Sequence, residues 1–253
     1  TVAPEYDGAG ADYVSYALAL MAIAEGDGAV STVVRVHNAS FCAILERYGS
    51  PPQRAEVLPP AARGEFIGAF ALTESHAGSD ASAIRTRARR TAQGYVLDGS
   101  KQFITSGKIA RYAIVFAVTD AASAKNGITA FLVPTDAKGY SVTKLEHKAG
   151  QNASDTCSLA FDGLELPASC RIGAEGAGYK IALSSLETGR IGIAAQSVGM
   201  AQAALDHAIR YARERESFGK PIIQHQAVAF RLVEARTRLE AARQLVLHAA
   251  RLK

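Results

Sequence analysis

The feature that most constrains this chain is a change of hydrophobic period along its length. From about Asp12 to Tyr48 the apolar residues recur at helical spacing, as in Leu18, Ala22, Ala29, Val33, Val36 and Ile44. Gly26-Asp-Gly28 interrupts that run and predicts two helices. Beyond a Pro-rich loop at Pro51-Pro52 and Pro59-Pro60 the period becomes two. Strand-like segments then follow near residues 66 to 73, 84 to 91, 94 to 104, 112 to 119, 127 to 134, 140 to 146 and 156 to 162, divided by Gly, Asp and Pro turns. After Pro167 the helical period returns. One stretch from about Gly178 to Arg215 carries Val198, Ala201, Leu205, Ala208 and Ala212 on one face, and another runs from about Gln226 to the end. Helices, then short strands, then helices predict an α+β fold whose strands close into a small barrel or sandwich.

Composition narrows the partners. Among 253 residues, 48% are hydrophobic and 21% charged, an ordinary globular balance with material for one or two cores. The net charge of +4 permits anionic ligands, and the densest basic run is Arg85-Thr-Arg-Ala-Arg-Arg90. Its alternation puts Arg85, Arg87 and Arg89 on one wet strand face, so no nucleic-acid partner is expected. Cys42, Cys157 and Cys170 form no close pair and are odd in number, which argues against a disulfide framework and for a reducing compartment. No run approaches the roughly 20 apolar residues of a membrane span, and the start at Thr1 lacks the pattern of a signal peptide. The six histidines show no metal-ligand spacing, so no metal site is expected.

Chemistry first surfaces in Phe70-Ala-Leu-Thr-Glu-Ser-His-Ala-Gly-Ser-Asp80, where an apolar strand breaks into hydroxyls, a carboxylate and a Gly-Ser turn. Thr73, Ser75, Ser79 and the amides around Gly78 cluster hydrogen-bond donors at the strand's exit, which suits a flat heteroaromatic ring or a phosphate. Further segments follow in order: Gly99-Ser-Lys-Gln-Phe-Ile-Thr105, Ser154-Asp-Thr156, Glu187-Thr-Gly-Arg190, and Arg215-Glu-Ser-Phe-Gly-Lys220 before His225-Gln226. Together they resemble the signatures of the acyl-CoA dehydrogenases, and the likeness, closest to short- and branched-chain members, covers nearly the whole chain. It implies a helical domain over residues 1–65, a β-barrel domain over 66–167 and a helical-bundle domain over 168–253, the first and last partial. Family members run longer at both ends.

The resemblance also implies site residues. FAD would lie against the strand residues Phe70 and Leu72, with Thr73 and Thr105 bonding the ring edge and Phe103 covering one face. Gly78 and Ser79 would approach the pyrophosphate. Many members have Trp in place of Phe103, and read without the family that residue would be core. Ser79 and Ser154 would hold the CoA portion of an acyl-CoA substrate, and Glu187 and Arg190 would line its channel; read alone, these two form a local helix ion pair. Arg215, Ser217, Phe218, Ile222, His225 and Gln226 resemble the stretch that grips the ADP half of a neighbouring subunit's FAD, implying a homo-oligomer, dimer or tetramer. Read alone, that stretch is a charged helix end closed by Gly219 and Pro221.

The Gly-rich Gly173-Ala-Glu-Gly-Ala-Gly178 has the wrong spacing and no βαβ unit for a dinucleotide fingerprint, so it reads as a loop and helix start. The activity implied is oxidation of an acyl-CoA to the trans-2-enoyl-CoA, with electrons passed to electron-transfer flavoprotein, in the cytoplasm of a bacterium or a mitochondrial matrix. The α-proton needs a carboxylate base. Members that carry it beside the Arg have Glu where this chain has Gly189, and Glu187 sits about 200° round the helix from that position. The base is therefore expected beyond Lys253. A desulfinase, an oxidase, a flavin- or CoA-binding module without turnover, and a helical scaffold remain as alternatives.

Overall fold

The structure, a computed structural model, describes residues 1–253. Helix α1 (Tyr13–Gly26) starts at Asp12, whose side chain accepts a hydrogen bond from the Ser15 amide at 2.7 Å. Its buried face carries Tyr16, Ala17, Leu20, Met21 and Ala24, whereas Leu18 and Ala22 of the expected stripe are exposed. Helix α2 (Gly28–Arg35) then runs through a π-wound segment, Val36–Cys42, into α3 (Ala43–Tyr48). Contrary to the expectation that no such run exists, Gly28–Tyr48 is long and apolar enough to cross a membrane by length and composition. Of its most apolar stretch 56% is buried inside the fold, the environment of a core helix.

The expected Pro-rich loop is instead a helix, α4 (Pro51–Ala62). Ser50 and Gln53 form a reciprocal capping box, and Pro51 and Pro52 occupy the first turn, where no amide donor is needed. Pro59 and Pro60 lie in the last turn and still use their carbonyls, which accept from the Arg63 and Glu65 amides.

Eight strands form one sheet: β1 (Gly68–Ala71), β2 (Arg87–Arg90), β3 (Gly94–Thr105), β4 (Tyr112–Val118), β5 (Ile128–Pro134), β6 (Tyr140–Leu145), β7 (Thr156–Pro167) and β8 (Arg171–Ile172). Their order is β6-β7-β3-β2-β4-β5-β8, with β1 added in parallel to β4. β6 and β8 at the ends are not paired with each other. The sheet nonetheless curls, because residues of β1, β2, β3, β4, β5 and β7 meet in one cluster that includes Leu97, Val115, Phe131 and Leu159. Tyr95 of β3 and Phe131 of β5, with β2 and β4 between them in the order, lie 4.9 Å between ring centroids. The period of two explains how β4 is buried on both faces: Ala113, Val115 and Ala117 enter this inner cluster, while Ile114 and Phe116 enter an outer one with α3, α4 and the start of α5. Arg85, Arg87 and Arg89 are exposed, as their alternation predicts.

Helix α5 (Gly178–Glu214) starts after the loop holding Gly173 and Gly176, both at positive φ. It is followed by a hairpin of β9 (Glu216–Ser217) and β10 (Lys220–Pro221), then α6 (Gln226–Arg251). The chain divides into two compact units. Thr1–Ala11 and Val33–Gly189 make one, and Asp12–Thr32 and Arg190–Lys253 the other. Within the second, α5 approaches α1 so closely that a Cβ on Gly199 would meet the Met21 carbonyl oxygen at 2.2 Å. The buried side of α5 there carries Val198, Gln202, Leu205 and Ala212; Ala201 of the expected stripe is exposed.

Candidate active site

β1 delivers the hydroxyl-rich loop. Ala69 and Ala71 anchor it in the inner cluster, and Phe70 packs from the other face against Phe116 at 5.1 Å. Pairing ends at Ala71, Leu72 stays buried and Thr73 is half-buried. Glu74 and Ala77 exchange two backbone hydrogen bonds (3.0 and 3.1 Å), closing a tight turn. Asp80 then caps a short 3-10 turn by accepting from the Ser82 amide at 3.1 Å. Between them Gly78 and Ser79 are exposed, and their amides make no hydrogen bond within the chain. Two such free amides can receive an anionic oxygen.

β3 supplies the second wall through a bulge. Its register with β7 runs to Lys101 opposite Leu159 and resumes at Ile104 opposite Cys157, so Gln102 and Phe103 together face only Ser158. Phe103 takes a left-handed φ of 59° and is 59% exposed. It is therefore not the core residue that a context-free reading of the sequence gives. Gln102 donates its amide to the Thr73 carbonyl at 2.9 Å, which stitches the bulge to the exit of β1. Neither Thr73 nor Thr105 spends its hydroxyl on another protein group. The next residue, Ser106, is fully buried, also at positive φ, with an unpartnered hydroxyl. Unspent donors beside an exposed ring are the tools for holding the polar edge and one face of an isoalloxazine, so these residues fit FAD.

Beneath the junction lies a buried ion pair. Lys101, with no exposed side-chain surface, donates to Glu74 Oε1 at 2.8 Å and to the Leu72 carbonyl at 3.0 Å. Glu74 also accepts the Arg85 and Thr86 amides at 2.6 and 3.0 Å. Burial pulls the Lys101 ammonium down to about 8, opposed by Glu74. Burial pulls the Glu74 carboxyl upward, but the Lys101 charge and these hydrogen bonds outweigh it and hold it below its ordinary value. Both lie inside the two motifs, Glu74 in the first and Lys101 in the second, yet the sequence alone gives neither a role. The available signal was a lysine at an inward position of a period-two strand.

Ser154 is 2% exposed with an unpartnered hydroxyl. Lys148 donates to its carbonyl and, at 3.0 Å, to the Thr156 hydroxyl; Asp155 accepts the Lys108 amide at 3.0 Å. Thr105 pairs with Thr156 across β3 and β7, so the Ser154 turn and the end of the bulged strand share one region. A cleft of about 370 Å³ lined by Glu146, His147, Lys148, Asn152 and Ser154 opens there. On α5, Glu187 and Arg190 are exposed and neither forms an ion pair, so the local pair expected of them is absent. Gly189 is buried, and the nearest atom to a Cβ placed on it would be Arg35 Nη1 at 3.9 Å.

In the second unit the Arg215–Gln226 stretch is a self-contained hairpin. Ile222 donates to the Arg215 carbonyl at 2.8 Å, and His225 Nε2 lies 3.1 Å from the Ser217 carbonyl. At its tip Phe218 is 95% exposed with a φ of 53°. Arg215, Ser217 and Gln226 are exposed, while Ile222 and His225 are half-buried.

Three stretches of the chain match descriptions of one family: the acyl-CoA dehydrogenase N-terminal domain over residues 1–65, the middle domain over 69–164 and the C-terminal domain over 176–253. An acyl-CoA dehydrogenase of Bacillus subtilis is 45% identical over 249 residues, 98% of this chain and 66% of that protein. A chain in the structure of the electron transferring flavoprotein of Acidaminococcus fermentans superposes with a TM-score of 0.97 at 41% identity, covering 99% of this chain and 66% of that one. Butyryl-CoA dehydrogenase from Megasphaera elsdenii superposes with a TM-score of 0.96 at 40% identity, covering 98% and 66%. The chain thus spans just under two thirds of these proteins' length.

Proposed function

Because the chain belongs to the acyl-CoA dehydrogenase family, we propose that it acts in FAD-dependent oxidation of a short-chain acyl-CoA thioester to the trans-2-enoyl-CoA. The observation that carries this reading is the pair of unspent hydroxyls, Thr73 and Thr105, presented on either side of a clamped junction beside the exposed Phe103 ring. When bound, FAD supplies the acceptor for the two electrons and the β-hydrogen lost from the Cα–Cβ bond. The chain's own residues orient and enclose. Phe70 and Leu72 back the ring, Thr73 and Thr105 bond its edge, and Phe103 shields one face from water.

The free amides of Gly78 and Ser79 meet the pyrophosphate, while Ser79 and the orphaned Ser154 hydroxyl meet the CoA portion. Glu187 and Arg190, both exposed and unpaired, line the acyl-CoA channel. Arg215, Ser217, Phe218, Ile222, His225 and Gln226 form a grip for the ADP half of a second copy's FAD, so the working form is a homo-oligomer. The three-part division at 1–65, 66–167 and 168–253 belongs to the same reading. Electrons pass to electron-transfer flavoprotein, named in the structure that holds one of the similar chains. The compartment is bacterial cytoplasm or mitochondrial matrix, and Gly28–Tyr48 serves as a core helix.

The carboxylate that takes the α-proton is assigned to no residue here. Gly189 has no side chain, and Glu187 lies about 200° away round the helix. The base is expected beyond Lys253, and a second reading stands beside this one: a relative with altered chemistry such as a desulfinase or oxidase, or a module that binds flavin and CoA without turnover. Anaerobic addition of butyryl-CoA to the purified full-length yellow protein decides. Bleaching of its visible flavin band supports acyl-CoA oxidation, with slow reoxidation on admitting air marking the dehydrogenase and fast reoxidation an oxidase; a band that no thioester bleaches supports the desulfinase or the module without turnover. A colourless protein that FAD does not reconstitute removes both.

A further inference from the structure

We infer that the buried Glu74–Lys101 pair is a positioning device, locking the exit of β1 onto the β3 bulge so that Thr73, Phe103 and Thr105 are held around one ligand. The inference rests on the FAD reading above and extends it to two residues that touch no part of the proposed ligand.

The argument starts from register. Where β3 leaves β7, residues 102 and 103 face a single partner, and a bulge of this kind bends its strand. Phe103 sits at a left-handed φ that non-glycine residues sustain only where the surroundings over-determine it. The surroundings are the residues just before it. Lys101 reaches inward to the Leu72 carbonyl and Glu74, and Gln102 donates to the Thr73 carbonyl, so two consecutive residues of β3 grip three consecutive residues after β1. Glu74 passes the constraint on through the Arg85 and Thr86 amides, which lead into β2. Thr73 is itself clamped, Phe103 directly follows the clamped Gln102, and Thr105 lies three positions beyond it on the same strand.

An apolar pair could fill the same space. Buried ion pairs are commonly no more stabilising than well-packed apolar replacements, so stability gives little reason for one here. Direction does: an ammonium with its partners fixed admits one placement of the Leu72 carbonyl, and a methionine admits many. Loss of the pair therefore loosens the site more than it unfolds the chain.

The test compares full-length wild type with Lys101→Met, Glu74→Gln, the double variant Glu74→Leu/Lys101→Met, and Glu175→Gln. Glu175 ties Arg90, Tyr95 (2.7 Å) and Arg171 (3.7 Å) in the same unit and lies outside the proposed site. Apoprotein melting, FAD affinity on reconstitution, and the visible circular dichroism and midpoint potential of the bound flavin are measured for each. Lys101→Met and the double variant are expected to bind FAD about 10- to 100-fold more weakly, with an altered visible signature, because small misplacements of positioning groups have effects of that order. Glu175→Gln should lower the melting temperature and leave affinity, signature and potential as in wild type. Should Lys101→Met not fold, Glu74→Gln, which keeps the side-chain volume, carries the same expectation. Folded variants with wild-type FAD affinity and signature overturn the inference and leave the flavin reading standing. A wild type that takes up no FAD overturns both.

Discussion

His37 shows how much a single buried side chain can fix. Its Nδ1 accepts the Gly68 amide at 3.0 Å and its Nε2 lies 3.0 Å from the Ala61 carbonyl, so the ring is a neutral imidazole with the proton on Nε2. Cys42 is the titratable neighbour, with Sγ 3.5 Å from Nε2, and the Phe41 and Phe66 rings pack around it. Burial lowers the His37 pKa, opposed by the Ala61 carbonyl. A folded pKa below the unfolded value of 6.5 means that the stabilisation is present above that pH and is lost as pH falls through the folded value. Protonation would drive a second N–H against the Gly68 amide at the start of β1. The urea midpoint should therefore drop as pH falls below the unfolded value of 6.5, and the drop should shrink in His37→Gln. An equal drop in the variant would assign the acid sensitivity elsewhere. Gly68 is a second such point, because a Cβ there would lie 2.1 Å from the Phe41 ring. Gly68→Ala should cost at least about 1–3 kcal/mol by overpacking, read from chemical denaturation.

At the scale of elements, local chemistry and packing divide the work. The α4 start is local: Ser50→Ala removes the capping box and should destabilise the protein by about 1 kcal/mol. A null effect on the melting curve would mean that Pro51 and Pro52 set that turn unaided. Such a helix was legible in Ser50-Pro-Pro-Gln53, but its prolines read as punctuation for a loop. Pro51 and Pro52 stand in the first turn, where a helix tolerates them, while Pro59 and Pro60 lie inside the helix near its end and give up two i→i−4 hydrogen bonds there. The α5–α1 contact is set by packing, and Gly199→Val should open it, raising hydrogen exchange in α1 and the second half of α5. Sequence periodicity found both helices but placed Leu18, Ala22 and Ala201 on buried faces where the fold exposes them. Small alanine-rich helices offer several similar stripes, and the partner chooses among them. The same limit applies to the π-wound Val36–Cys42 segment, which no residue preference announces.

For the whole molecule, Phe218 raises the question of assembly. An aromatic ring 95% exposed, on a non-glycine residue at positive φ, meets only the edge-on His225 ring at 6.1 Å in the unit that carries it. Phe218→Ala should leave the unfolding free energy within about 0.5 kcal/mol of wild type. The proposed shared FAD site predicts a larger effect on FAD retention and on oligomer size, measured by sedimentation velocity. Unchanged retention and unchanged oligomer size would count against a site shared between copies.

What the sequence determined by itself is the succession of periods, hence the helix–sheet–helix order, the places of seven of the eight sheet strands (β8 and the β9–β10 hairpin escaped it), and the motif positions of Thr73, Phe103, Thr105 and Ser154. Period and hydrogen-bonding chemistry act between near neighbours, so they are written locally. Only the tertiary structure decided that the sheet curls until β3 meets β5, that Phe103 stands exposed on a bulge, and that Lys101 clamps a carbonyl 29 residues away. Those facts depend on which strands become neighbours and where their register slips. That is a property of the assembled sheet, which no local stretch of sequence encodes.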